Sequence, residues 1–144
     1  MSPDLYEAMA GLQNYVEASG LDRKLLDLVK IRASQINGCA YLHRYAYQRC
    51  AQAWRKRRVD ASAQCLARST NFSARERAAL AWTEAVTKIS DHHVPNEVYD
   101  EARRHFSEKE LVDLTAAVIA INAWNRAAIA FRATPRLTSA KLAA

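Results

Sequence analysis

Four residues of types suited to chemistry fall within seventeen positions of one another: Asp27, Cys39, Tyr41 and His43. Cys39 directly follows Asn37-Gly38, a pair that tolerates left-handed backbone and therefore ends a helix or turns the chain. It stands where a next helix would begin. The free N–H groups of a helix start favour negative charge, so a cysteine there is a candidate for a lowered thiol pKa. A thiolate attacks peroxides and disulfides, so the chemistry to consider first is thiol redox chemistry. His43 lies four residues after Cys39, on the same face of any helix that starts there, and an imidazole can take a thiol proton. An isolated helical histidine is more often a partly exposed residue with no role. Tyr41 offers a hydrogen bond beside the cysteine. Asp27 supplies a nearby carboxylate, which spacing alone reads as a solvent ion pair with Arg23 or Lys30.

Helices must position these groups. Leu25, Leu28, Val29 and Ile36 recur at helical spacing behind Asp22, a ready N-cap. Before them, Ser2-Pro3-Asp4 is a helix start, Leu5, Met9, Leu12 and Val16 give its apolar face, and Gly20 ends it. A third helix is expected from about Cys39 through the forties. Ser73-x-x-Glu76 is a capping box opening a helix through Ala79, Leu80, Trp82, Val86 and Ile89. Ser90 to Pro95 reads as a loop, and a short helix follows from Asn96 to His105. A second capping box, Ser107-x-x-Glu110, opens a long apolar helix through Leu111, Leu114, Val118, Ile121, Trp124, Ile129 and Phe131, ended before Pro135. Trp82 and Trp124 read as core or interface residues. The expected organisation is one domain over residues 1–135 and a loose tail over 136–144.

Composition agrees. A chain of 144 residues with three glycines and three prolines, rich in Ala and Leu, points to one all-α domain. No run of about 18 apolar residues exists to span a membrane. The start of the chain carries no charged-then-apolar leader, so a cytoplasmic protein is expected. Cys39, Cys50 and Cys65 are an odd, loosely spaced set, unlike a disulfide framework or a zinc site. Cys50 and Cys65 read as incidental thiols. His92-His93 is expected in a loop without nearby acids, which argues against a metal there. The charge is uneven: residues 42–70 hold seven bases and one acid, an excess equal to the formal net charge of +6 of the whole chain. The run Trp54-Arg55-Lys56-Arg57-Arg58 raises nucleic-acid binding as another class of function. No binding module accompanies it, and a solvated charged turn is the preferred reading.

The run "VKIRASQINGCAY", residues 29–41, resembles the alkylhydroperoxidase AhpD-like branch of the carboxymuconolactone decarboxylase family. The block "FSARERAALAWTEAVTKISDHHVPNEVYDEARRHFSEKELVDLTAAVIAINAWNRAAIAF" resembles the C-terminal half of the same family. The resemblance covers roughly residues 1–41 and 71–132 and implies a compact all-α AhpD-like domain of about six helices. It implies a Cys-x-x-Cys-x-x-x-His motif with a glutamate twelve residues before the first cysteine. Cys39 takes the first position, and Asp27, one methylene shorter, takes that of the glutamate. Leu42 and Ala46 stand where the second cysteine and the histidine belong. In the resembled site the second cysteine attacks the peroxide, the first resolves the sulfenic acid as a disulfide, and the histidine takes the thiol proton. The resemblance implies a small-molecule hydroperoxide as substrate, a thiol or dithiol reductant, no cofactor, no metal, and a homo-oligomer, trimeric or hexameric. As written, the chain should lack peroxidase turnover. The alternatives are an acid–base step of the carboxymuconolactone decarboxylase type, or a catalytically inactive helical scaffold.

One event accounts for both the lost motif and the local arginine excess. Codons permitted for Leu42 and His43, when translated one base later, give cysteine at position 42. Continued through Ala51, they give Ile-Asp-Met-His-Thr-Lys-Asp-Ala-Arg, with the histidine at position 46. A reading-frame slip over residues 42–70, restored near Asn71, is therefore preferred to gradual divergence.

Overall fold

The computed structural model describes residues 2–39 and 72–133, and their regular structure is helical: α1 (Pro3–Ala18), α2 (Arg23–Ile36), α3 (Ala74–Thr87), α4 (Ile89–His92), α5 (Asn96–His105) and α6 (Glu108–Ala130). The expected helix of the forties, the basic run 54–58 and the tail 136–144 lie outside the described residues.

Local chemistry sets most boundaries. Ser2 caps α1 by accepting the Leu5 N–H at 3.3 Å, with Pro3 at the first helical position, and Gly20 at φ +85° releases the chain into the next turn. Asp22 accepts the Lys24 N–H at 3.2 Å to open α2. Both capping boxes form. Ser73 accepts the Glu76 N–H at 3.1 Å while Glu76 accepts the Ser73 N–H at 2.7 Å, and Ser107 and Glu110 do the same at 3.2 and 2.9 Å.

Two expectations are corrected. α3 stops at Thr87 instead of running through Ile89, which is 53% exposed and starts the one-turn helix α4 within the segment expected to be a loop. Lys88 leaves helical dihedrals, and His93 at φ +54° then turns the chain toward α5. An apolar residue in such a turn is ordinary and carries little information about helix length. In α1, Val16 is fully buried but Leu5 is 43% exposed, so only the C-terminal part of the apolar face meets the core.

α6 is the central element. α1 and α2 pack on it, α3 lies against both α2 and α6, and α5 packs on α3. Val16, Leu25, Leu26, Val29, Ala79, Trp82, Leu114 and Val118 share the main core cluster, each large side chain stabilising by about 1.5–3 kcal/mol. The Trp82 indole N–H donates to Thr115 Oγ1 at 3.1 Å, so the buried ring leaves no unpaired donor.

Two charged clusters pin the helices to one another. Arg32 of α2 is 4% exposed and donates from Nη2 to Glu84 Oε1 of α3 at 2.7 Å. Asp113 of α6 is 1% exposed, accepting from Lys109 Nζ at 2.6 Å and from the Tyr15 hydroxyl of α1 at 2.8 Å. The Lys109 ammonium, and after it the Tyr15 hydroxyl, hold the Asp113 carboxyl below the usual carboxylate range against the opposing pull of burial.

Removing one member of the Arg32–Glu84 pair leaves a buried guanidinium uncompensated. Glu84→Ala is expected to destabilise the fold by about 3 kcal/mol, the low end for a buried pair because Glu84 keeps some solvent contact. Arg32→Met in the same chain should recover much of that loss in urea denaturation. Because Asp113 binds a proton less readily folded than unfolded, its contribution is present above the ordinary aspartate pKa and disappears as pH falls through the lowered native value. Thermal melts between pH 7 and pH 2 should therefore show a shallower acid decline for Asp113→Asn than for the unchanged chain.

Candidate functional site

The end of α2 builds the surroundings of Cys39. Asn37 donates its N–H to Ala33 O at 3.0 Å, Gly38 takes φ +65° and donates to Gln35 O at 3.1 Å, and Cys39 donates to Ser34 O at 3.0 Å. These bonds close the C-terminal end of α2, and Cys39 lies just beyond it with only 3% of its surface exposed. Its thiol is free.

Asp27 lies seven residues before Ser34 on α2. That spacing puts the two on one face of the helix, about 10 Å apart along the axis. The carboxylate is half-buried and has no ion pair or hydrogen bond among the described residues, so neither Arg23 nor Lys30 takes it up. The alternative of a solvent ion pair with Arg23 or Lys30 is therefore not formed among the described residues. Tyr41 and His43 lie outside the described residues, as do Leu42 and Ala46. Of the four sequence candidates, Asp27 and Cys39 are described: Asp27 lies in the N-terminal half of α2 and Cys39 just beyond its C-terminal end, so the helix does not bring them together.

Behind Cys39 runs a polar seam between α2 and α6 that the sequence reading did not single out. Asn37 Nδ2 donates to Asn122 Oδ1 at 2.8 Å, Asn122 Nδ2 donates to Thr87 Oγ1 at 3.0 Å, and Arg126 Nη1 donates to Asn122 Oδ1 at 3.0 Å. Deeper in, Ser34 Oγ donates to Lys30 O at 2.7 Å and lies 3.2 Å from the side-chain amide of Asn125, a residue with no exposed surface. Ser34 has one hydroxyl hydrogen, and the shorter contact takes it. The amide is therefore best turned so that its nitrogen donates to Ser34 Oγ, which leaves its oxygen as the end without a partner. The available signal was Asn122 and Asn125, one turn apart on the core-facing side of an otherwise apolar helix.

One expectation about His92-His93 is corrected. The pair lines a hollow of about 310 Å³ together with Glu84, Lys88 and Asp91, so acids are close by. Glu84 comes from the preceding helix, which made it invisible to a reading of the loop alone. Glu84 is already engaged by Arg32, and among the described residues no group of three or more His, Cys, Asp or Glu side chains could hold a metal ion.

Three comparisons bear on this arrangement. The model of the carboxymuconolactone decarboxylase family matches residues 3–85. The uncharacterized protein YdfG of Bacillus subtilis is 32% identical over 133 residues, covering 90% of this chain and 88% of that one. The crystal structure of ATU0492 from Agrobacterium tumefaciens, a protein of unknown function put forward as an antioxidant defence protein AhpD, superposes with a TM-score of 0.85 at 36% identity. It covers 93% of this chain and 92% of that one.

The seam generates a prediction. Asn122→Ala removes the donor to the buried Thr87 hydroxyl and one of the two acceptors of the half-buried Asn37 amide, and is expected to cost about 1–3 kcal/mol. Alkylation of Cys39, followed by peptide mass spectrometry, should speed up in the same variant, since the turn that buries the thiol loses its anchor on α6.

Proposed function

Because the chain belongs to the carboxymuconolactone decarboxylase family, we propose that it descends from an AhpD-type thiol peroxidase whose substrate is a small hydroperoxide and whose electrons come from a thiol or dithiol. The observation that carries this reading is a buried free cysteine just beyond the C-terminal end of α2, with the half-buried Asp27 nearer the start of the same helix.

In the complete reaction, a peroxidatic thiolate attacks the O–O bond of the hydroperoxide. Its sulfur is oxidised to the sulfenic acid, and the alcohol leaves once its oxygen is protonated. A second thiol displaces water from the sulfenic acid and closes a disulfide, which an external dithiol reduces to restart the cycle. Cys39 takes the resolving role. Its burial keeps the thiol from competing reactions with other oxidants, and its tie to Ser34 fixes where the second sulfur must approach. Asp27 takes the orienting role, holding a base or a water on the same helix face. About 14 Å of helix axis separates Asp27 from the end of α2 at Ile36, beyond which Cys39 lies, a span that a thiol and a base at positions 42 and 46 are needed to bridge.

With Leu42 and Ala46 at those positions, no side chain there can act as nucleophile or base. Cys39 alone supports at most one round of sulfenic acid or mixed disulfide formation.

The test is peroxide consumption in the presence of excess dithiol. The chain as written is expected to show no turnover above buffer. A chain with codons 42–70 returned to the alternative frame should turn over, and should lose at least tenfold of that activity with Cys39→Ser and with Asp27→Asn. A restored chain that folds with the same helical content yet consumes no peroxide sinks the redox reading and leaves the helical scaffold. The intact mass of the natural gene product, set against 16.2 kDa for the written chain, decides which frame the cell uses.

A further inference from the structure

His92 and His93 form a pair that the proposed reaction does not use. With Glu84, Lys88 and Asp91 they line a hollow of about 310 Å³ where α3, α4 and α5 meet. Small-molecule sites run from about 300 to 1,000 Å³, so this one suits a ligand of amino-acid size and not a large cofactor. Ala81, Ala85, Pro95 and Val98 supply the apolar part of its wall.

The polar groups of the hollow do not satisfy one another. Lys88 and Asp91 are exposed, and neither forms an ion pair among the described residues. Glu84 precedes Lys88 by four residues, a spacing that pairs such side chains on a regular helix. Lys88 has left helical dihedrals, at φ −105° and ψ +39°, and that pair is not made. Asp91 accepts a 3.4 Å contact from the neighbouring Ser90 Oγ. Both Arg32 bonds to Glu84, from Nε at 2.8 Å and from Nη2 at 2.7 Å, fall on Oε1. Glu84 Oε2 therefore has no partner among the described residues, and neither do the rings of His92 and His93.

The backbone adds a second observation. His93 takes φ +54° and ψ −142°, a region that favours glycine, and a histidine is held there at a cost. Glycine at this turn would avoid the strain and lose the imidazole.

We infer that the hollow binds a small zwitterion of the α-amino acid class. An anion alone would meet Asp91 and Glu84, and a cation alone would meet Lys88. A molecule bearing both signs finds a partner for each. Its ammonium goes to Asp91 and Glu84 Oε2, and its carboxylate to Lys88. A neutral imidazole has one donor and one acceptor nitrogen, so the two histidines serve either end. Arg32 offsets the charge of Glu84 from behind, and Lys88 and Asp91 then balance each other. A ligand with no net charge matches that balance. The apolar wall fits an aliphatic side chain. None of this depends on the peroxidase reading.

NMR of the histidine rings in the full chain, titrated with L-leucine, glycine, acetate and methylammonium, tests this. L-Leucine is expected to shift the His92 and His93 signals saturably, with a Kd of about 0.1–10 mM. Glycine lacks the aliphatic body and should bind about threefold more weakly or worse. Acetate and methylammonium carry one charge each, and both should bind about tenfold more weakly or worse. Lys88→Met and, separately, Asp91→Asn should each weaken L-leucine about tenfold, with circular dichroism unchanged because both side chains are exposed. His93→Gly should raise the melting temperature and weaken L-leucine, since it removes the strain and the ring together. No saturable shift with either amino acid overturns the proposal. So does acetate or methylammonium binding as tightly as L-leucine, which would make the hollow a simple ion site. Unchanged affinity in both Lys88→Met and Asp91→Asn puts the ligand elsewhere and overturns it too.

Discussion

Carboxamides buried between α2 and α6 impose the constraint on which the rest of the described structure depends. An amide removed from water without partners costs on the order of 1–3 kcal/mol. Asn122 and Asn125 can therefore be tolerated inside only if α2 presents Asn37 and Ser34 at the right height and rotation. An apolar contact would allow α2 to slide along α6 by a fraction of a turn at little cost. This one does not. The Cys39 turn inherits that fixed register, because its own hydrogen bond runs to Ser34 and the preceding residue but one, Asn37, is held by Asn122.

The charged clusters act in the same sense. Burying Arg32 against Glu84 is weak evidence for net stability, since desolvation offsets much of the attraction. Its consequence is selective: α2 and α3 dock with that pair closed or leave a guanidinium stranded. Asp113 plays the matching part between α1 and α6 through Tyr15, with Lys109 of its own helix supplying the positive charge. Together these contacts orient α1, α2 and α3 around α6, and the hydrophobic core supplies the driving force without specifying the rotation of each helix.

Legibility followed the range of the interaction. The capping boxes at Ser73 and Ser107 are completed within four residues, so the helix starts were readable and formed as expected. Ile89 misled because apolar character says nothing about whether a turn intervenes, and the turn is made by the backbone at Lys88 and His93. Leu5 misled because periodicity gives a face but not how far along the helix a neighbour reaches. The seam was hidden because each of its members finds a partner 35 to 91 residues away. Asp27 was marked only by resemblance to a family. Its lack of a local partner, the physical reason to single it out, is a property of the folded chain.

Among the described residues, the register of α2 on α6 and α3 is set by side chains far apart in the chain: Asn37 with Asn122, Ser34 with Asn125, and Arg32 with Glu84. Pairs of this kind constrain the fold more than their net energy suggests, because each helix that shifts leaves a buried polar group of its neighbour without a partner.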